Sequence, residues 1–378
     1  MWRKPMQRKS LVVYLPDLST GGVERVHINL APAFIEAGFD VTFLLHRNVG
    51  ELASFIPPGV RVITFGCNRT LKSLFPLMRF LRQESPDILL SNLGHNNIIA
   101  IWAAMLAKVP TRVIVSWHNT LSAESRANTN WQYRILPWLC RRFLNKADGI
   151  VAVSKGVADD LTSVTGIMRD RITVIYNPIV TREFDVLSHE VARHPWLADG
   201  APSFLLGVGR LSAQKDFALL ISAFTSVAQT RNIRLILLGE GPLRANFMAQ
   251  AQTLGVADRL SMPGFLPNPL PFMRKAAALV MSSRYEGFGN VLAEALACGT
   301  AVVSTDCPHG PAEVLEDGKY GILVPVGNIE AMAKALTQVL EHPPEKKNLL
   351  ARGQEFTAER AAGLYISLFN SVSLSPCL

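Results

Sequence analysis

The sequence contains little cysteine and no long apolar run. Its five cysteines are odd in number and form no C-x2-C pair, so we expect a reducing compartment and no structural zinc site. No stretch reaches the roughly eighteen apolar residues that a membrane-spanning helix needs. The first residues lead directly into a strand-like segment at Leu11 to Leu15. The sequence therefore predicts neither a transmembrane span nor a cleaved signal peptide.

Charged residues are also scarce. They make up 18% of the chain, whereas 49% of the residues are hydrophobic. That balance is consistent with buried parallel strands or with some membrane contact. A length of 378 residues exceeds the usual size of one domain, so we expect two domains, each large enough to bury its own core.

The excess positive charge lies in the first half of the chain. Residues 1–180 contain 21 Lys and Arg against 12 Asp and Glu, and the remaining residues contain 17 against 18. A basic half indicates an anionic partner. The candidates are a membrane surface, a phosphorylated acceptor and a nucleic acid.

Strand-like and helix-like segments alternate along both halves. Apolar strand patterns at Leu11 to Leu15 and Asp40 to Leu45 flank a helix pattern from about Gly22 to Ala37. The alternation stops in a polar run from Thr181 to Pro202 and then resumes. The pattern predicts an α/β fold of two Rossmann-like, doubly wound parallel-sheet domains facing a common cleft, with the boundary at residue 180.

Two glutamates, Glu286 and Glu294, enclose a segment that contains Gly287-Phe288-Gly289-Asn290-Val291. The two glycines permit an irregular backbone before a helix that begins near Asn290, so we expect Glu286 on a loop and Glu294 inside the helix. The helix start offers backbone N–H groups to a phosphate, and the carboxylates suit sugar hydroxyls.

The position of this segment between two strand patterns supports a ligand site. Leu279 to Met281 precedes it and Ala301 to Ser304 follows it, and parallel sheets bind ligands at such strand-to-helix crossings. The arrangement fits a nucleotide sugar. The alternative is that both acids face water on a surface helix.

Polar residues follow other predicted strands. Arg210 and Lys215 lie five residues apart across a probable turn and could converge on a diphosphate, or they could be two solvated surface cations. Gly21-Gly22 precedes the first helix, where a bare backbone could approach a phosphate or an acceptor, or form only a tight turn. His118 ends a strand at the edge where sites collect, unless it is a buried histidine satisfied by the backbone.

Several separated segments with these residues occur in a characteristic order. They are Gly21-Gly22-Val23-Glu24-Arg25, Trp117-His118-Asn119, Gly209-Arg210-Leu211 with Lys215-Asp216, Gly239-Glu240-Gly241-Pro242, the paired-glutamate segment, and Gly310-Pro311-Ala312-Glu313-Val314 with Asp317-Gly318 and Gly321. Together they span nearly the whole chain and resemble the retaining glycosyltransferases of family 4, which have the two-domain GT-B architecture.

The resemblance implies a division of labour between the domains. Residues 1–180 would form the acceptor-side domain, residues 181–354 would bind the nucleotide sugar, and a last helix within 355–378 would pack back on the first domain. Transfer would retain the anomeric configuration by a front-face displacement, in which the leaving phosphate helps to deprotonate the acceptor. The sequence contains no D-x-D motif, in agreement with metal-independent transfer without a cofactor.

The resemblance also implies the roles of single residues. Glu286 would contact the sugar, Glu294 the ribose hydroxyls, and His118 the transferring sugar. Arg210 and Lys215 would neutralise the leaving diphosphate. The remaining donor-binding candidates are Gly21 and Gly22 beside the phosphates, Phe265 and Leu266 at the base, and Gly287, Phe288, Gly289, Asn290 and Val291 between the two acids.

Two basic and apolar segments bear on the acceptor. Leu71 to Arg82 and Trp131 to Lys146 combine large apolar residues with cations, as an interfacial helix would, although packed helices with snorkelling cations have the same composition. We therefore expect a hexosyltransferase, peripheral on the inner face of the membrane, that transfers a hexose or N-acetylhexosamine from a UDP-sugar to a lipid-linked glycan, lipopolysaccharide or exopolysaccharide precursor.

Two other functions stay open at this stage. A nucleotide-sugar epimerase of similar fold would bind the same donor without an acceptor. A nucleic-acid-binding protein would use the basic first half and would leave the paired glutamates without a purpose. We expect no nucleic-acid partner.

Overall fold

The computed structural model describes residues 8–19, 21–127, 130–198 and 200–372. These residues form two compact units. Unit 1 comprises the chain up to Pro178 together with the residues from Ala358 onward, and unit 2 comprises Ile179–Thr357. The sequence prediction placed these boundaries at residues 180 and 355.

Unit 1 contains a seven-stranded parallel sheet with the strand order β3-β2-β1-β4-β5-β6-β7. Its elements in chain order are β1 (Lys9–Leu15), α1 (Gly22–Glu36), β2 (Phe39–Leu45), β3 (Arg61–Thr64), α2 (Leu74–Glu84), β4 (Ile88–Asn92), α3 (Gly94–Ala107), β5 (Arg112–Trp117), α4 (Leu121–Ala127), α5 (Trp131–Phe143), β6 (Gly149–Ala152), α6 (Lys155–Thr165) and β7 (Ile172–Val174). Short 3₁₀ turns occur at Glu51–Phe55, Thr70–Ser73, Leu144–Lys146 and Arg169–Arg171.

Unit 2 contains a six-stranded parallel sheet with the order β10-β9-β8-β11-β12-β13. Its elements are α7 (Phe184–Ser188), β8 (Phe204–Val208), α8 (Phe217–Thr230), β9 (Arg234–Leu238), α9 (Arg244–Thr253), β10 (Leu260–Gly264), α10 (Leu270–Lys275), β11 (Ala278–Met281), α11 (Asn290–Ala297), β12 (Val302–Thr305), α12 (Pro311–Val314), β13 (Ile322–Val324), α13 (Ile329–Glu341) and α14 (Lys346–Gly353). Its 3₁₀ turns are Pro195–Leu197, Ala257–Arg259 and Gln354–Phe356.

The central strands are buried along their whole length. Every residue of β4, β5 and β11 is buried, which explains their nearly continuous apolar sequences, because helices cover both faces of a parallel sheet. The register around β1 is regular, since Leu11 pairs with Val41 of β2 and with Ile88 of β4, whereas the pairing of β10 with β9 shifts between Ser261 and Gly264.

The last helix, α15 (Ala358–Ser371), completes unit 1. Its Tyr365 and Phe369 are fully buried, and their rings lie 6.1 and 5.7 Å from the ring of Phe34 on α1. The sequence prediction placed this helix within residues 355–378.

Each sheet reverses its strand order at one place. The chain winds outward in opposite directions from β1 and β4 in unit 1, and from β8 and β11 in unit 2. The loops that leave two such neighbouring strands diverge and open a crevice at the carboxyl edge of the sheet. A ligand is therefore expected at these two edges.

Candidate active site

The loops after β8 and β11 meet through a buried ion pair. Nζ of Lys215 donates to Oε1 of Glu286 at 2.5 Å, and the side chains are 19% and 10% exposed. Oγ of Ser283 donates to the same carboxylate oxygen at 2.6 Å. A carboxylate with this much of its hydration removed needs such donors, and they fix its position.

Further hydrogen bonds join the two loops. Oγ of Ser282 donates to the carbonyl of Lys215 at 2.8 Å, and Nε2 of Gln214 donates to the carbonyl of Tyr285 at 3.0 Å. The backbone N–H of Arg284 donates to the carbonyl of Gln214 at 2.8 Å. Lys215 and Glu286 are thus held by a rigid frame rather than by flexible loops.

Gly209 explains how Lys215 reaches the carboxylate. A Cβ atom at Gly209 would lie 3.0 Å from Cε of Lys215, and φ of this glycine is +152°. The lysine stem therefore passes across the bare backbone of the residue before Arg210. Arg210 itself is exposed, and within the described part of the chain its side chain has no hydrogen bond or ion pair. The two cations predicted to act alike thus differ: one is paired with Glu286, and the other is available to an anion.

Three glycine turns approach each other closely at the same edge. A Cβ atom at Gly239 would lie 2.0 Å from the carbonyl oxygen of Gly209, so no side chain fits there. The N–H of Gly239 donates to the carbonyl of Gly264 at 2.8 Å. Phe265 and Leu266, which follow Gly264 on the loop after β10, are half-buried.

The predicted helix start is confirmed. Gly289 has φ of +88°, a conformation that favours glycine, and α11 begins at Asn290. Glu286 lies on the preceding loop, and Glu294 lies inside the helix and is half-buried. A Cβ atom at Gly310 would lie 2.6 Å from the carbonyl oxygen of Phe288, so the loop after β12 presses on this turn.

The middle of the paired-glutamate segment is anchored by Phe288. Its side chain is 2% exposed, and its ring lies 5.4 Å from that of Phe356. Val291 in the first turn of α11 is half-buried. The segment from Gly287 to Val291 is therefore anchored in unit 2 by a buried aromatic contact.

His118 lies in unit 1, in a buried polar cluster at the ends of β4 and β5. Oδ1 of Asn92 is 2.6 Å from Nε2 of His27 and 3.3 Å from Nε2 of His118. An amide oxygen can only accept, so Nε2 of His27 carries the proton and its Nδ1 is an acceptor. Oγ of Ser116 is a further neighbour of Nε2 of His118, at 3.1 Å.

Both imidazoles are neutral at neutral pH. Burial lowers the pKa of His118 to about 3, with a further contribution from His27, and burial lowers the pKa of His27 to about 4. Nδ1 of each ring is buried, and among the described residues neither atom has a hydrogen-bond partner. The cluster thus offers neutral hydrogen-bonding groups without charge.

Gly21 and Gly22 form the start of α1. Gly21 precedes the helix in an extended conformation, and a Cβ atom there would lie 1.9 Å from Oε2 of Glu24. Glu24 is 6% exposed, so a buried carboxylate occupies the space that a side chain at residue 21 would need. These glycines lie after β1, and therefore in unit 1, whereas the ion pair and Arg210 lie in unit 2.

Three residues of these clusters were not predicted as site residues. Ser283 ends the apolar strand β11 with a polar turn, and Asn92 ends β4 in the same manner. That polar ending next to the reversal point is the signal that could have identified them. His27 lies three residues after Glu24 on the same helix face, so its pattern resembles that of a core residue.

Four cysteines lie among the described residues, all of them free thiols, and Cys377 lies outside these residues. Burial raises the pKa of Cys307 to about 12, and the nearby charge of Glu286 acts in the same direction. Over the described ranges there is no group of three or more His, Cys, Asp and Glu side chains that could hold a metal ion. No helix there is both long and apolar enough to cross a membrane.

Family models match both halves of the chain. The model described as Glycosyltransferase Family 4 matches residues 20–183, and the model described as Glycosyl transferases group 1 matches residues 189–356.

Two bacterial relatives match over most of their length. The N-acetylgalactosamine-N,N'-diacetylbacillosaminyl-diphospho-undecaprenol 4-alpha-N-acetylgalactosaminyltransferase of Campylobacter jejuni is 30% identical over 90% of this chain and 92% of its own. The lipopolysaccharide core biosynthesis glycosyltransferase LpsE of Rhizobium meliloti is 29% identical over 93% and 96%. Among solved structures, Anabaena HepE in complex with UDP and glucose superposes with a TM-score of 0.78 at 21% identity, covering 96% of this chain and 100% of that one.

Proposed function

Since the chain belongs to glycosyltransferase family 4 and has the GT-B fold, we propose that it is a retaining hexosyl- or N-acetylhexosaminyltransferase that uses a UDP-sugar. The acceptor that we propose is a lipid-linked glycan or a lipopolysaccharide or exopolysaccharide precursor. The observation that carries the proposal is the Lys215–Glu286 pair at the reversal point of the unit 2 sheet, with Arg210 on the same loop as Lys215.

Unit 2 supplies what a sugar diphosphate requires. Among the described residues, the guanidinium fork of Arg210 has no protein partner, and Lys215 is a point charge held by hydrogen bonds between two loops. Breaking the bond between the sugar and the diphosphate leaves an additional negative charge on the nucleoside diphosphate. Fixed cations stabilise that charge most strongly in the transition state, so both are proposed to accelerate departure.

The acids are proposed to hold the two ends of the donor. Glu286, on the loop, would accept hydrogen bonds from sugar hydroxyls, and Glu294 would bind the ribose. The turn from Gly287 to Val291 would pass along the phosphates. Phe265 and Leu266 would contact the base, and Gly21 and Gly22 would contribute backbone from unit 1.

The proposed displacement balances without a protein nucleophile. The C1–O bond to the diphosphate breaks, and its electron pair stays on the phosphate oxygen. The acceptor oxygen attacks C1 from the same face and transfers its proton to the departing phosphate oxygen. His118 is buried and neutral, so we assign it to positioning a hydroxyl rather than to acid catalysis. We further propose that the reaction needs no metal, and activity undiminished by EDTA would support this.

The relatives support the choice of acceptor. The Campylobacter protein is named for a diphospho-undecaprenol substrate, and the Rhizobium protein for lipopolysaccharide core synthesis. The excess of basic residues in the first half fits an anionic membrane surface. We propose that the enzyme works at the inner face of the membrane and has no nucleic-acid partner.

A panel of nucleotide sugars tests the donor. A ligand that binds only the folded protein raises Tm, so UDP and the correct UDP-sugar should give shifts that GDP-sugars and ADP-sugars do not. The selected donor is then incubated with and without undecaprenyl-diphosphate-linked saccharides, and the product anomer is read by NMR. An inverted linkage would overturn the retaining assignment, and an epimer formed from donor alone would favour the epimerase.

A further inference from the structure

One helix of unit 1 presents tryptophans to solvent. On α5, Trp131 is 68% exposed, Trp138 is 60% exposed and Ile135 is 39% exposed. At about 100° per residue these positions fall within roughly 60° of each other around the helix axis. Large apolar side chains on a surface are ordinary when scattered, but a stripe of them indicates an interaction site.

Cations lie on the same stripe. Arg134 and Arg142 are exposed at helical spacing from the tryptophans, and within the described part of the chain Arg134 has no ion pair. The segment from Trp131 to Lys146 contains four Lys and Arg and no Asp or Glu. Among the four, Arg141 is bound to the carbonyl of Val164 at 3.0 Å. The stripe therefore combines indoles with uncompensated positive charge.

The opposite face of α5 is firmly packed, so the exposure of the stripe is not a sign of loose structure. Leu136 and Cys140 are buried beneath the helix. The ring of Tyr133 lies 4.8 Å from that of His95, and the ring of Phe143 lies 5.4 Å from that of Trp102. Both partners belong to α3, which holds α5 against the unit.

Helix α2 and the 3₁₀ turn before it, Thr70–Ser73, repeat the composition. Leu71 and Phe75 are 65% and 68% exposed, and Lys72 and Arg79 are exposed beside them. Arg82 of α2 donates to the carbonyl of Leu106 at the end of α3, at 2.8 Å. Because α3 contacts both helices, the two apolar and basic surfaces lie on the same layer of unit 1.

We propose that the α5 stripe, defined as Trp131, Arg134, Ile135, Trp138 and Arg142, docks on an anionic phospholipid bilayer. The indoles would enter the boundary between headgroups and acyl chains, where their apolar ring and N–H group both find partners. The two arginines would lie among the headgroup phosphates. A second copy of this chain would bring the same cations face to face across a symmetric contact, which argues against it as the occupant. The inference builds on the membrane acceptor proposed above, but the binding does not require transfer.

Vesicle sedimentation tests the stripe directly. The full chain should bind phosphatidylglycerol vesicles more than about tenfold tighter than phosphatidylcholine vesicles, because each cation near an anionic surface contributes about fivefold. Trp131→Ser with Trp138→Ser should weaken binding to phosphatidylglycerol by about 100-fold, and Arg134→Gln with Arg142→Gln by about 25-fold.

Matched controls lie in unit 2. Val186→Ser with Val191→Ser removes apolar residues that are 69% and 91% exposed, and Lys334→Gln with Lys347→Gln removes two exposed cations. Both pairs should bind vesicles as the unaltered chain does. The Tm shift with UDP, measured on every variant, reports the donor site separately, so its failure would count against the proposed function and not against the stripe.

Three results would overturn the proposal. They are no binding of the unaltered chain to phosphatidylglycerol vesicles, unchanged binding of the tryptophan variant, and equal affinity for both lipids. A dimer in sedimentation velocity that the tryptophan variant abolishes would also overturn it, because the stripe would then cover a second copy.

Discussion

The carboxyl edges of the two sheets are built alike but differ in charge. Each edge lies where the strand order reverses, beside β1 and β4 in unit 1 and beside β8 and β11 in unit 2. Unit 2 places an ion pair of Lys215 and Glu286 there, with the exposed Arg210 on the same loop as Lys215. Unit 1 places His27, Asn92 and His118 there, all neutral at neutral pH.

The comparison shows that the strand order provides a crevice in both units, whereas the side chains at its edge determine which ligand groups can bind there. Fixed charges suit a group whose charge grows during reaction, such as a leaving diphosphate. Neutral donors and acceptors suit hydroxyl groups, whose hydrogen bonds need direction rather than charge. Under the proposed function, the fixed charges of unit 2 would bind the donor phosphates, and the neutral cluster of unit 1 would position a hydroxyl group.

The largest effect is expected for Glu286→Gln, which keeps the shape of the side chain but removes its charge. We expect the transfer rate to fall about 100-fold or more, because Lys215 loses its anchor and the sugar loses a charged acceptor. Glu341→Gln, which breaks the ion pair with Arg231 outside this edge, is the control. Steady-state kinetics and Tm are measured together, and a wild-type rate for Glu286→Gln would remove this residue from the mechanism.

A smaller effect is expected for Arg210→Ala. The loss of a hydrogen bond between charged groups costs about 1.5–3 kcal/mol, so the Kd for UDP should rise about 10- to 100-fold by calorimetry. Arg231→Ala serves as the matched control, since Arg231 precedes β9 at the amino edge of the same sheet. Equal affinities of the two variants would mean that Arg210 does not touch the diphosphate.

The smallest effect concerns the loss of folding stability that the two histidines of the neutral cluster cause at acidic pH. His27 and His118 have folded-state pKa values of about 4 and about 3, against 6.5 for the ordinary side chain. Below pH 6.5 the unfolded chain therefore binds protons that the folded chain does not, and stability falls as the pH falls. Replacing one such histidine should therefore reduce the loss in free energy of unfolding at pH 5.5 by about 1.4 kcal/mol.

Urea unfolding at pH 7.5 and 5.5 measures this. His27→Gln should lose less stability between the two pH values than the unaltered chain, and His342→Gln, exposed in unit 2, should behave as the unaltered chain does. An identical pH dependence for all three chains would show that the imidazoles titrate normally.

The sequence predicted the central strands and missed two edge strands. Leu11 to Leu15 of β1 and the whole of β11 are continuous apolar runs, because both of their faces are covered. β3 (Arg61–Thr64) and β13 (Ile322–Val324) lie at the sheet edges and contain only two and three apolar residues, so their apolar runs are too short to stand out. The GT-B fold followed from the resemblance rather than from the alternation alone.

In the candidate site, too, the sequence predicts local features but not contacts between distant residues. The glycines that directly precede Asn290 in the sequence indicate a turn there, so the helix start could be predicted. The bond between Lys215 and Glu286 joins residues 71 positions apart, and it depends on β8 and β11 being neighbours. The cluster of His27, Asn92 and His118 depends likewise on strand order, which no local pattern contains.

The return of α15 to unit 1 has a consequence for biosynthesis. Tyr365 and Phe369 fill the space beside Phe34, yet the ribosome adds them after every residue of unit 2. The apolar surface of the nascent unit 1 that α15 covers therefore stays exposed while unit 2 is translated. Chaperones can bind it during this period. For the same reason, unit 2 is one continuous stretch of the chain, whereas a fragment of unit 1 that stops at Pro178 lacks Tyr365 and Phe369 and leaves Phe34 without its aromatic partners on α15.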